Sequence, residues 1–197
     1  GPCVSAAHNT IVASRAGKDL VSSVASGLLT IGSRFGGAMD QAAHDFYFAN
    51  KEGMSPDLFV ERKKKSGQRV MGIGHAVKSL YNPDSRVQFL VEYVNKNFPS
   101  HDVLDFAQNV SKVLLLRKHN LILNVDGAIG CAVVDMILSL PDMFSIDELE
   151  MLIENGLVNG FFVLSRTIGL IGHFLDQKRL NQGLYRHPWE DISKVDY

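Results

Sequence analysis

An all-α fold is what this 197-residue sequence predicts, on three observations. Apolar residues recur at helical spacing between capping signals along most of the chain. Only one segment, Asn120 to Gly130, has the β-branched look of a strand, and a single strand has nothing to pair with. Hydrophobic residues make up 46% of the chain, ample for a real core in one large domain or in part of a bigger enzyme.

Residues 5–15 and 18–31 are rich in Ala, Ser, Val and Leu, which predicts two closely packed buried helices. His8, inside the first, reads more readily as a hydrogen-bonded core residue than as a ligand. Ser33-Arg34-Phe35-Gly36-Gly37 breaks the pattern, and helical spacing resumes from Ala38 to Asn50. A Gly-Gly turn opening a helix can cradle an anion with free backbone N–H groups, although tight turns use the same residues. Ser55-Pro56-Asp57 opens a further helix that closes in Arg62-Lys63-Lys64-Lys65.

Asn82-Pro83-Asp84 starts the next helix, amphipathic from Val87 to Phe98, and another runs from Val103 to Leu116. Residues 120–128 read as an extended turn into a buried helix, Ile129 to Leu140. Ser145-Ile146-Asp147-Glu148 is a capping-box pattern for a helix ending at Asn155-Gly156. From Asn159 to Leu180 a long helix is apolar almost all round, so Arg166 in it is expected to be a buried guanidinium that needs an anion. The tail Gly183 to Trp189 reads as an extended arm with aromatic anchors, of the kind that wraps a neighbouring subunit.

A net charge of −1 offers no global attraction to nucleic acid or to a membrane surface. Cys3 and Cys131 lie far apart, with no thiol or histidine at metal-ligand spacing, so no metal site is expected and a reducing compartment is. No apolar run is read as long enough to span a bilayer, which makes a cytoplasmic protein the default. The chain starts without methionine inside what reads as ordered sequence, so residues 1–197 are taken as one module of a larger chain.

Chemistry concentrates in Gly72-Ile73-Gly74-His75-Ala76-Val77, a histidine in a glycine loop just ahead of a helix whose first turn carries Arg86. Imidazole exchanges a proton near neutral pH, and a guanidinium beside it suits an anionic substrate. Asp126, an acid in apolar surroundings, suits proton exchange, with a helix cap as the equally weighted structural alternative. The clusters Arg62–Lys65 and Arg117-Lys118-His119 are either solvated helix ends or docking points for a polyanionic cofactor tail.

Four stretches taken together, GIGHAVKSLYNPDSR, LILNVDGAIG, LSRTIGLIGHFLDQKR and LYRHPWED, resemble the citrate synthase-homology module of the ATP-citrate lyase family. The resemblance runs from Gly1 to about Ile192. It implies a citrate synthase-like helical fold, an intertwined homodimer assembling toward a tetramer in the full enzyme, and cleavage of citryl-CoA to acetyl-CoA and oxaloacetate. ATP and Mg²⁺ would act only through other modules, and coenzyme A would be the cofactor here. By the same resemblance His75 exchanges a proton with the tertiary hydroxyl, as base in the cleavage direction, and Asp126 with the acetyl methyl carbon. Arg86, Arg166 and Arg186 hold substrate carboxylates, with Arg186 arriving from a partner subunit. Phe35 and Gly36 also fall at the substrate, Gly36 standing where citrate synthase has a further histidine. Lys64, Lys118, Ile73 and Gly74 fall at coenzyme A. Citrate synthase itself or a stand-alone citryl-CoA lyase would use the same residues, and a helical oligomerisation module is the non-enzymatic alternative.

Overall fold

A computed structural model describes residues 3–32, 36 and 38–192. Among them are nine α-helices and one 3₁₀ turn, with no strand longer than an isolated bridge. The chain divides into two compact units, one of residues 36–162 and one of residues 1–35 with 163–197.

The larger unit holds α3 (Ala38–Lys51), α4 (Pro56–Lys65), α5 (Ser85–Asn97), α6 (Asp102–Leu115), α7 (Val125–Leu138), α8 (Ile146–Glu154) and the start of α9 (Leu157–Arg179). Its core joins Ala42, Ala43 and Phe46 of α3 to Leu104, Ala107 and Val110 of α6 and Ala128, Cys131 and Val134 of α7. Small residues set the distance between α3 and α7: a Cβ on Gly130 would lie 2.9 Å from the Met39 carbonyl oxygen. The sequence marks most helix starts locally. Ser55 accepts from the Leu58 N–H with Pro56 behind it, and Ser145 and Glu148 complete the expected capping box.

Two helices are capped from a distance. His101 gives α6 no side-chain cap, and the buried Asp135 of α7 supplies one, accepting from the Val103 and Leu104 N–H groups at 3.0 and 2.9 Å. Burial pushes its carboxyl up to about 6, against the pull of those two amides. Asp40 of α3 accepts from the Asn159 N–H in the first turn of α9 at 2.9 Å. Neither bond has a local signature, since each spans 31 or more positions of sequence.

The smaller unit packs α1 (Ser5–Arg15) on α2 (Leu20–Leu28) through Ala6, Ala7 and Val24 with Leu170 of α9. A Cβ on Gly27 would fall 2.2 Å from the Thr10 hydroxyl, so the small-residue composition does mark close contact. The expectation of wholly buried helices is corrected: one face of each is buried, while Val21 and Leu29 are exposed. The second helix starts at Leu20 because Asp19 caps it, accepting from the Ser22 N–H.

The long helix α9 corrects two further expectations. It is 23 residues long and contains a window of mean hydropathy 1.3, long and apolar enough by length and composition to cross a membrane. Yet Leu164, Ile168 and Leu175 are exposed in the single chain, and Arg166 is half-buried rather than buried. A helix apolar on every side needs neighbours on every side, and this chain provides them along one stripe, where Leu170 and Phe174 are buried. The tail from Gly183 is extended as expected, and it lies on α1 of its own chain. The Arg15 Nε donates to the Gly183 carbonyl at 2.6 Å, and the Tyr185 ring meets His8 edge-on at 5.1 Å.

Replacing Asp135 by Asn leaves one α6 amide facing an NH₂ group instead of an oxygen. A loss of about 1–3 kcal/mol is expected. Urea unfolding of the variant reads it directly, and an unchanged midpoint would refute the distant cap.

Candidate functional site

The loop around His75 and the segment before α7 are laid side by side by backbone bonds. Gly74 N–H donates to the Ile122 carbonyl at 2.7 Å, His75 N–H to Asn120 at 3.0 Å, and Asn124 N–H to Gly72 at 2.9 Å. Ile73 and Leu123 form an isolated antiparallel bridge. The β-branched segment therefore does find a partner, in a glycine loop whose composition gives no strand signal. The side chains of Asn120 and Asn124 add bonds of 3.0 Å to the His75 and Gly74 carbonyls.

Glycine permits this approach. Gly72 has φ +79°, where other residues are strained, and a Cβ on it would lie 2.7 Å from the Gly127 Cα. A Cβ on Gly127 would lie 2.5 Å from the Gly72 carbonyl oxygen. Two backbones meet where no side chain fits, and the first turn of α7 is thereby drawn against the histidine loop.

That turn begins at Val125, four residues before the expected start. Asn124 caps it, accepting from the Asp126 and Gly127 N–H groups at 3.1 Å each. The cap alternative for Asp126 thus falls to its neighbour. Asp126 stands half-buried in the first turn.

His75 is oriented by its own loop. Its Nδ1 accepts from the Val77 N–H at 3.0 Å and from the Lys78 N–H at 2.9 Å. Nε2 is left as the ring nitrogen that can meet a substrate, and a neutral ring held this way carries its hydrogen there.

Arg86 is held by Asp84, which sequence reasoning saw only as a helix start. Asp84 caps α5 by accepting from the Arg86 N–H, and its carboxylate also takes Arg86 Nε at 3.0 Å and Nη2 at 2.6 Å. The Arg86 hydrogen bonds bring the Asp84 carboxyl down to about 2, partly offset by its burial, and the His75 ring lowers it further. The Asp84 carboxylate in turn raises the Arg86 pKa, and the Asp126 charge adds to that rise. His75, Asp84, Arg86 and Asp126 therefore share one electrostatic neighbourhood, although they span 52 positions of sequence, from 75 to 126 inclusive.

Beside the same loop, Lys64, Arg69, Ile73 and Arg117 line a cavity of about 390 Å³. Lys118 follows Arg117 in the turn after α6 but is not part of the lining, and Gly74 adjoins Ile73. Arg69 and Arg117 were not singled out from the sequence. Lys63, also at the cavity, is tied to Asp45 at 2.7 Å. Gly36 has φ +97°, and Phe35 lies outside the described residues. Arg166 and Arg186 belong to the smaller unit. Among the described residues no group of three or more His, Cys, Asp or Glu side chains is placed to hold a metal ion.

The family model of the citrate synthase C-terminal domain matches residues 3–187. The chain is 58% identical over 195 residues to ATP-citrate synthase of Homo sapiens, covering 99% of this chain and 18% of that protein. A structure of ATP citrate lyase from Methanothrix soehngenii in complex with citrate and coenzyme A superposes with TM-score 0.94 at 53% identity, over 100% of this chain and 32% of that one. A Methanosaeta concilii ATP citrate lyase with an aspartate replaced by alanine, in complex with (3S)-citryl-CoA, matches at TM-score 0.90 and 53% identity, again over 100% and 32% of the two chains. The fold is shared more widely. Citryl-CoA lyase from Hydrogenobacter thermophilus gives TM-score 0.83 at 23% identity, over 100% of this chain and 72% of its own. The chain thus spans less than a third of the human relative and about a third of the two ATP citrate lyase chains.

The low Asp84 value has a pH consequence. Its folded pKa, about 2, lies below the ordinary 3.8, so the stability it confers is complete above pH 4 and disappears as pH falls toward 2. Acid unfolding followed by circular dichroism should show Asp84→Asn losing that part of the pH dependence. An identical acid limb in both proteins would contradict the ion pair.

Proposed function

The chain belongs to the citrate synthase family, and from that premise we propose that it is the citryl-CoA lyase module of an ATP-citrate lyase, cleaving citryl-CoA to acetyl-CoA and oxaloacetate. The observation that carries the reading is the shared neighbourhood of His75, Arg86 and Asp126, created by the Gly72–Gly127 contact. Citryl-CoA brings carboxylates, a tertiary hydroxyl and a thioester to one place, and each has a counterpart here. Arg86 takes a carboxylate through charge-assisted hydrogen bonds. Arg166 and Arg186 hold further carboxylates on the family resemblance, with Arg186 supplied to a partner subunit.

The proton passes at His75 Nε2, since Nδ1 is engaged by two amides. In the condensing direction the Nε2 hydrogen moves toward the oxaloacetate carbonyl. In the cleaving direction the transfer runs in reverse: the tertiary hydroxyl proton returns to Nε2 as its oxygen becomes the oxaloacetate carbonyl, and the ring then passes a proton to solvent while Asp126 regains one, which resets the site. As the carbon–carbon bond breaks, its electron pair becomes the enolate of acetyl-CoA, and Asp126, having taken up a proton from solvent for this direction, supplies it to the methyl carbon and is left as the carboxylate. The Gly36 backbone N–H, where citrate synthase has a histidine, supports the enolate. Coenzyme A lies along the cavity at Ile73 and Gly74, with its phosphates toward Lys64 and Lys118, and the Arg69 and Arg117 side chains reinforce that charge.

The full enzyme then makes acetyl-CoA and oxaloacetate from citrate, coenzyme A and ATP, with ATP and Mg²⁺ used by its other modules. Assembly as a homodimer, and toward a tetramer, gives the exposed apolar side of α9 something to bury against. A cytoplasmic location goes with that assignment.

Placed in the full-length chain, His75→Ala and Asp126→Asn should each slow citryl-CoA cleavage by about 10²-fold or more while far-ultraviolet circular dichroism stays the same. Near-normal turnover by either removes the mechanism. Joint replacement of Lys64 and Lys118 by Ala should abolish discrimination between coenzyme A and dephospho-coenzyme A. Undiminished preference for the former would refute the phosphate docking.

A further inference from the structure

We propose that Asp84 is the positioning residue for substrate carboxylate binding, setting which edge of the Arg86 guanidinium is presented to the ligand. This rests on the function proposed above. A guanidinium has two forks able to grip a carboxylate side by side, one at Nε and Nη2 and one at Nη1 and Nη2. Asp84 occupies the first: Oδ1 accepts from Nε at 3.0 Å, and Oδ2 accepts from Nη2 at 2.6 Å. The Nη1–Nη2 fork remains for an incoming carboxylate, with the side chain of Arg86 62% exposed and that of Asp84 only 3%.

The arrangement is rigid because Asp84 has a second task. Its Oδ1 also accepts from the Arg86 backbone N–H as the cap of α5, so a single carboxylate fixes both ends of the same residue. An arginine is otherwise a long chain with several rotamers, and ordering it on binding costs affinity. Here that cost is met during folding.

Asparagine at this position keeps the helix cap, since Asn caps as well as Asp, and loses only the charged fork. Asp84→Asn should therefore fold, and calorimetric titration with citrate should show binding weakened by about tenfold. Coenzyme A affinity should not change. The deciding comparison is with Arg86→Ala and the double variant: if Asp84 acts through Arg86, the double variant binds citrate no worse than Arg86→Ala alone. Losses that multiply would show a general structural role and overturn the proposal, as would an Asp84→Asn protein that binds citrate normally while Arg86→Ala does not. Normal citrate binding by Arg86→Ala itself would instead defeat the underlying function.

Discussion

The close approach of Gly72 to Gly127 is the constraint on which the rest of the larger unit depends. A Cβ on either residue would intrude within 3 Å of the other's backbone. Only at this separation can the Asn124 amide reach the Gly72 carbonyl and its side chain reach Gly74. Those bonds hold the histidine loop along the approach to α7, so a residue in the loop and a residue in the helix's first turn become neighbours. The geometry of the candidate site follows from missing side chains at Gly72 and Gly127.

Charge is organised by a second recurring device, the carboxylate at a helix start, buried at Asp84 and Asp135 and half-buried at Asp40. Asp135 caps α6 from α7, Asp40 caps the beginning of α9 from α3, and Asp84 caps its own helix α5 while gripping Arg86. In the first two the acid bonds amides 31 or more positions away, and burial raises both carboxyls. In the third the guanidinium dominates and lowers it. The same residue type therefore joins helices in two places and holds an arginine in one. What separates them is whether a cation shares the cap.

Much of this was legible in the sequence wherever the signal is local. Ser55-Pro56, Ser145 with Glu148, and the start at Pro83-Asp84 all mark helices that the structure contains, because capping bonds reach only three or four residues. The early start of α7 was hidden by Val125, whose β-branched side chain suggests extension, while Asn124 supplied the cap. The Ile73–Leu123 bridge was hidden because its partner is a glycine loop. The Asp84 fork and the cavity roles of Arg69 and Arg117 were hidden for another reason: each depends on tertiary neighbours, and basic or acidic residues in a sequence look alike until those are known. The apolar composition of α9 was read as burial, whereas the chain by itself covers only one stripe of it.

The family resemblance points to His75 and Asp126, and the geometry explains how each is held: one by two amides at Nδ1, the other in a turn capped by its neighbour. The central claim is that these two groups act on one substrate as a unit. A kinetic double-variant cycle on citryl-CoA cleavage tests it most directly, comparing His75→Ala and Asp126→Asn with the protein carrying both. Groups that cooperate in one bond-breaking event give a double variant about as slow as the slower single one. Losses that multiply in full would mean that the two side chains work independently, and would contradict the account.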